Sequence, residues 1–104
     1  MREKVFEALV EMGAPVQSKG CKYIIDAVTL LDEEKFRCGK IGDIYRKVGE
    51  INNADWRTVE RCIRNTFHRI ITKGNLEAVE KYLTLNNITN GNLLFVMHHR
   101  LSKL

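Results

Sequence analysis

The sequence has little of what breaks helices or cross-links chains. Of its 104 residues, one is proline, Pro15, and three are cysteines, Cys21, Cys38 and Cys62. An odd number of widely spaced cysteines without a CxxC pair excludes a disulfide framework and a cysteine-based zinc site, so we expect reduced thiols. No apolar run approaches the roughly 20 residues that span a bilayer, and no signal peptide is visible. The sequence therefore predicts a cytoplasmic protein without a membrane partner.

Patterns of catalytic residues are missing as well. The candidate groups are His68, His98, His99 and the cysteines. His98 and His99 are adjacent, so on a helix they point about 100° apart and cannot bind one metal ion together. The sequence shows no Ser/His/Asp arrangement, no glycine-rich phosphate loop and no paired carboxylates. It therefore predicts a protein that is not an enzyme, without metal, cofactor or small-molecule substrate.

Helical periodicity covers almost the whole chain. It predicts an all-α fold, a compact bundle of about six helices that forms one domain over residues 1–104. Gly49 is expected to end the third helix, and Asn52 or Asn53 to cap the fourth through its side-chain oxygen. The predicted helices run from about Glu3 to Met12, Lys19 to Asp32, Ile41 to Val48, Ala54 to Thr72, Leu76 to Leu83 and Leu93 to Leu101.

Positive charge is concentrated in the second part of the chain. The net charge is +4; residues 1–39 carry six Lys/Arg against seven Asp/Glu, and residues 40–104 carry eleven against six. On the fourth predicted helix, four side chains lie at steps of four, three and four residues and fall within about 60° of one another. These four are Arg57, Arg61, Arg64 and His68. The apolar side chains of the same helix cluster on roughly the opposite side, which is typical of an amphipathic helix with a buried back.

This basic face favours a negatively charged partner. Like charges at i,i+4, such as Arg57 and Arg61, weaken a helix slightly, whereas solvated faces usually mix signs. A solvated face that happens to be basic is the plain alternative, and an acidic protein or an anionic membrane is less favoured than a polyanion. The third predicted helix, the link Glu50–Asn53 and the fourth helix follow the helix-turn-helix pattern, whose second helix enters the major groove. The expected partner is therefore double-stranded DNA.

Three stretches of the sequence resemble a known family. MGAPVQSKGCKYIIDAV (Met12–Val28) carries a G-x-P-x-x-x-K-G-x-x-Y pattern, and VERCIRNTFHRIITKGN (Val59–Asn75) carries V-E-R-x-I-R and a following G-N. Together with the ending TNGNLLFVMHHRL, they resemble the C-terminal DNA-binding effector domain of the stage-zero sporulation protein A family. Members of this family are sporulation response regulators. The family's receiver domain does not precede these stretches, so the chain looks like either a piece separated from a longer regulator or a divergent, stand-alone member.

The resemblance implies a transcription regulator that binds tandem promoter boxes of the TGTCGAA type through neighbouring protomers. It places base contacts at Glu60, Arg61 and Arg64, with Asn65 at a neighbouring contact position and a further polar or basic pair at Arg57 and Thr58. We expect the phosphates to be contacted by Lys40, Arg46, Lys47, His68, Arg69 and Lys73. We expect a neighbouring protomer on the DNA to contact the surface between Leu76 and Phe95.

The sequence also fits a function other than DNA binding. A small relative of this family could be a protein-interaction module that modulates a larger sporulation regulator without binding DNA specifically. The last helix, with Phe95, His98 and His99 exposed, would then be its interaction surface.

Overall fold

A computed structural model describes all 104 residues, as seven α-helices without a β-strand. The prediction of an all-α bundle is confirmed. One helix was not expected, because the short α3 lies in a stretch whose charged composition suggested a connection. The helices are α1 (Arg2–Glu11), α2 (Lys19–Leu30), α3 (Glu34–Arg37), α4 (Ile41–Asn52), α5 (Trp56–Lys73), α6 (Leu76–Tyr82) and α7 (Asn90–Leu101).

One cluster of 27 buried apolar residues draws side chains from every helix. Its centre is formed by α2 and α5, because α2 packs against α1, α4, α5 and α7, and α5 packs against α2, α4, α6 and α7. On α5, Ile63 and Phe67 are buried, as the periodicity predicts. On α1 the periodicity places Phe6 inward with Val5 and Leu9, and this is wrong: Phe6 is 41% exposed. None of the helices is both long and apolar enough to cross a bilayer.

The contact between α2 and α5 depends on Gly20, the second residue of α2. A Cβ at this position would lie 2.8 Å from the carbonyl oxygen of Cys62 and would overlap the hydroxyl group of Thr66. The backbones of the two helices therefore approach each other directly. This close approach sets the position of α5 relative to the middle of the bundle.

The end of α4 differs from the prediction. The helix continues through Gly49 to Asn52, although a glycine at that position is a common stop signal. Gly49 lacks a side chain at the place where the following turn folds back against α4. Ala54 donates its N–H to the Gly49 carbonyl at 2.8 Å, and a Cβ on Gly49 would clash with the Ala54 carbonyl oxygen. The glycine therefore serves the packing of the turn. The helix ends at Asn52, and its C-cap residue Asn53 has a left-handed backbone with φ of 53°.

The cap of α5 also differs from the prediction. Neither Asn52 nor Asn53 caps the helix, because α4 extends over the first and ends at the second. The capping residue is Asp55, whose side chain accepts a hydrogen bond from the N–H of Arg57 at 2.8 Å. The helix therefore begins at Trp56, two residues later than the predicted start at Ala54.

The Asn52 side chain belongs to a different contact, around the buried carboxylate of Asp26. Its Nδ2 donates to Asp26 Oδ2 at 2.8 Å, and a guanidinium N–H of Arg2 donates to the other oxygen. Lys22 lies 3.8 Å from Oδ2 on the next turn of α2. One buried carboxylate thus joins α1, α2 and the end of α4.

The last helix begins earlier than predicted and buries a residue expected at the surface. It starts at Asn90, three residues before Leu93, and the Asn90 side chain is buried in the bundle. The expected exposure of His98 is wrong: the ring is buried and its Nε2 lies 2.9 Å from Asp32 Oδ1. Phe95 and His99 are exposed.

Candidate nucleic-acid interface

Helices α4 and α5 pack against each other and are joined by the three-residue turn Asn53–Asp55. The turn lies three residues later than the link Glu50–Asn53 predicted from the sequence, because α4 is longer. Two packed helices joined by three or four residues are the geometry of a helix-turn-helix. With 18 residues, α5 is about 27 Å long, so several of its turns can follow a DNA groove.

The outer face of α5 carries the four basic residues that the spacing predicts. Arg57, Arg61, Arg64 and His68 are all exposed, and the Arg57 and Arg64 side chains are 74% and 57% exposed. The opposite face packs into the core. Its buried residues are Val59, Ile63, Thr66, Phe67 and Ile70. The burial of this face fixes the rotation of the helix, so the basic face points to solvent.

Nearby carboxylates neutralise this face only in part. Arg57 Nη1 lies 3.8 Å from Asp55 Oδ2, and Arg64 Nε lies 3.7 Å from Glu60 Oε2. Exposed pairs of this kind contribute about 0–1 kcal/mol and are screened by salt, so either arginine can exchange its carboxylate for a phosphate or a base. Arg61 has no carboxylate within 4 Å, so its charge is not paired within the protein.

Glu60 is a predicted contact residue that is also partly built into the fold. Its side chain is 30% exposed. Asn90 Nδ2 donates to the Glu60 main-chain oxygen at 3.1 Å and to the Tyr45 hydroxyl at 3.2 Å. Burial raises the pKa of Tyr45, so its hydroxyl keeps its proton well above neutral pH. This network ties α5 to α4 and α7, and no local pattern could have indicated it because its partners are far apart in the sequence.

The remaining predicted contact residues lie on the same two helices. Thr58 is half-buried beside the turn, and Asn65 is exposed next to Arg64. Lys40 precedes α4, and Arg46 and Lys47 lie on it, each of the latter two paired with an acidic residue of its own helix. His68, Arg69 and Lys73 are exposed along the second half of α5. The predicted set therefore covers α5 and the outer side of α4.

A groove of about 710 Å³ runs beside the basic face, between α5, the start of α4 and residues 88–91. Ile41, Phe67 and Ile71 contribute to its apolar walls, and Arg64 and His68 lie along its rim. These two side chains therefore stand between the groove and the outer face of α5.

Sequence reasoning missed one residue at this surface, Trp56. It is the first residue of α5, and its side chain is 39% exposed. The guanidinium carbons of Arg46 and Arg57 lie 5.9 Å and 5.4 Å from the centre of its ring. The available signal was the single tryptophan of the chain next to an arginine, directly after a capping aspartate.

Comparison with known proteins identifies one family. The family model described as "Sporulation initiation factor Spo0A C terminal" matches residues 5–101. Neither a curated protein nor a solved structure matches the sequence. The matched range includes the complete helices α2 to α7 and most of α1.

Proposed function

The chain belongs to the family of the C-terminal domain of sporulation initiation factor Spo0A, and from this premise we propose that it binds specific sequences in double-stranded DNA. The family is that of the DNA-binding effector domain of a sporulation response regulator. The proposed function is therefore transcription regulation, with α5 as the recognition helix in the major groove.

The observation that carries this proposal is the exposed basic face of α5 on the opposite side from its buried face. A major groove is wide enough for one helix, and a bidentate arginine is the commonest reader of guanine. We assign Arg61 and Arg64 to base edges, with Asn65 suited to an adjacent adenine. Glu60 supports Arg64 and can accept from a cytosine amino group.

The surrounding cations are assigned to the phosphates. In a helix-turn-helix the first helix crosses the DNA backbone, which suits Lys40, Arg46 and Lys47 at the outer side of α4. His68, Arg69 and Lys73 follow the recognition helix toward its C-terminal end, whereas Thr58, near its start, is assigned with the base contacts. Contacts of this kind set the position of the protein on the duplex, whereas base contacts set its sequence preference.

Selection of bound duplexes from a random pool, followed by titration of variants, tests this assignment. Arg64→Ala should weaken binding to the selected site by about 1–3 kcal/mol and reduce the preference at one base pair. Lys73→Ala is the matched control: it removes a cation from the same helix and should weaken all duplexes about equally. If Arg64→Ala loses as much affinity for random DNA as for the selected site, its assignment to a base is wrong.

A second protomer is proposed to bind beside the first on tandem boxes. The surface between Leu76 and Phe95 follows the recognition helix and exposes several apolar side chains, among them Leu85 and Ile88. Contact through this surface makes the second binding event partly intramolecular, so two boxes should bind more tightly than two separate sites. Titration of two-box against one-box DNA at fixed salt measures the difference. Equal affinities per site at every spacing of the boxes would exclude the contact.

A further inference from the structure

Trp56 holds two arginines that come from different helices. Arg46 lies on α4 and Arg57 follows Trp56 on α5, and each guanidinium lies within 6 Å of the centre of the indole ring. A guanidinium at this distance from an aromatic ring is attracted by the negative potential of the ring face, and tryptophan provides the strongest attraction. The exposed ring therefore brings two positive charges to one place at the start of α5.

The two arginines keep their charge available for a ligand at this place. Arg46 Nη1 lies 3.7 Å from Asp43 Oδ1, and Arg57 Nη1 lies 3.8 Å from Asp55 Oδ2. All four side chains are more than half exposed. Such exposed pairs are weak and exchangeable. A guanidinium that is already attracted to a ring loses less rotational freedom when it binds a phosphate, because part of its freedom is already restricted.

We propose that Trp56 is a positioning residue that orients Arg46 and Arg57 as one paired site for the DNA phosphates. This inference rests on the proposed function, since it assumes that α5 binds duplex DNA. It places Arg57 on the backbone rather than on a base edge. The reason is that Arg46 belongs to the helix that crosses the backbone, and the shared ring holds Arg57 beside it.

The first test replaces the ring and measures affinity and its salt dependence. Trp56→Ala should weaken binding to all duplexes by about 5- to 30-fold, because two long side chains must then be ordered when the protein binds. Each neutralised phosphate contributes about 0.9 to the slope of log K against log salt, so the slope should become shallower by roughly one. Trp56→Phe should retain most of the affinity, whereas Trp56→Leu, which is apolar without a π face, should behave like Trp56→Ala.

Two controls separate positioning from packing. Phe6→Ala removes an aromatic side chain of almost equal exposure from α1 and should leave DNA affinity unchanged. In a protein that carries Arg46→Gln and Arg57→Gln, Trp56→Ala should cause little further loss, because the residues it orients are absent.

The outcomes are distinguishable from failure of the proposed function. If the wild-type protein binds no duplex, the DNA-binding proposal itself fails. If the wild type binds and Trp56→Leu keeps both the wild-type affinity and the wild-type salt slope, the positioning role is overturned. The same holds if Trp56→Ala weakens binding equally with and without the two arginines. Because Trp56→Leu and Trp56→Phe retain apolar surface at an exposed position, the test does not depend on the folding of the alanine variant.

Discussion

Replacement of Gly20 by alanine tests the packing that positions α5. The added Cβ would lie 2.8 Å from the Cys62 carbonyl oxygen, whereas ordinary contacts begin at 3.4 Å, so α2 and α5 must separate by about 0.6 Å. The Thr66 side chain can rotate away, but the backbone carbonyl of a helix cannot. Overpacking of this kind costs about 1–3 kcal/mol.

Alanine restricts the unfolded chain more than glycine does, and this stabilises the folded state by about 0.4–1 kcal/mol, which offsets part of the cost. We therefore expect Gly20→Ala to lower the free energy of unfolding by about 1–2 kcal/mol. For a domain of this size, that corresponds to a fall in Tm of roughly 5–15 °C. Thermal melting and urea denaturation measure the effect. Equal m-values of the variant and the wild type would show that the unfolding transition is unchanged.

Gly91 provides a matched control, because it is the second residue of α7 as Gly20 is of α2. A Cβ on Gly91 would meet only Ile41, at 3.9 Å, which is an ordinary contact. Gly91→Ala should therefore be neutral or stabilising. In the Gly20→Ala protein, Thr66→Ala should restore only part of the lost free energy of unfolding, because the clash with the Cys62 carbonyl remains. A Gly20→Ala protein that melts at or above the wild-type temperature would refute the close approach of α2 and α5.

Three further predictions follow from buried groups. Phe67→Ala should lower the free energy of unfolding by about 3–5 kcal/mol, and a wild-type urea midpoint would show that this face of α5 is not in the core. Because burial raises the pKa of Tyr45 above its usual 10, the folded protein holds this proton more tightly than the unfolded chain does. Its contribution to stability is complete below about pH 10 and is lost as the pH rises through the folded-state pKa, so Tyr45→Phe should flatten the alkaline decline in urea midpoints. Exposed Cys38 should react quickly with a thiol reagent, whereas Cys21, whose pKa is raised by burial, should react only on unfolding; equal rates would contradict its burial.

The rotation of α5 could be predicted from the sequence, because eighteen residues of apolar periodicity leave only one side for the core. The ends of the helices could not be predicted as well, since they depend on contacts between distant segments. Gly49 has the local signal of a helix stop, yet the helix continues through it. The Ala54 carbonyl oxygen occupies the space that a Cβ at this position would fill. His98 is polar and was expected at the surface, but it is buried, and Asp32, 66 residues earlier in the sequence and exposed at the surface, supplies a partner for its ring.

The candidate site shows the same division. The spacing of Arg57, Arg61 and Arg64 was sufficient to predict the basic face, because it needs only one helix. The stack on Trp56 and the bond from Asn90 to Glu60 each join two helices. They become visible only when the packing of α4, α5 and α7 is known.

The carboxylate of Asp26 connects the beginning of the chain to the end of α4. Its two oxygens are held by Arg2, at the first residue of α1, and by Asn52, at the last residue of α4. Without Arg2, the buried carboxylate would keep only Asn52 as a hydrogen-bond donor and Lys22 as an ion-pair partner, and a buried charge with fewer partners lowers the free energy of unfolding. The end of α4, directly before the turn that leads into α5, therefore owes part of its stability to a side chain at the start of the sequence.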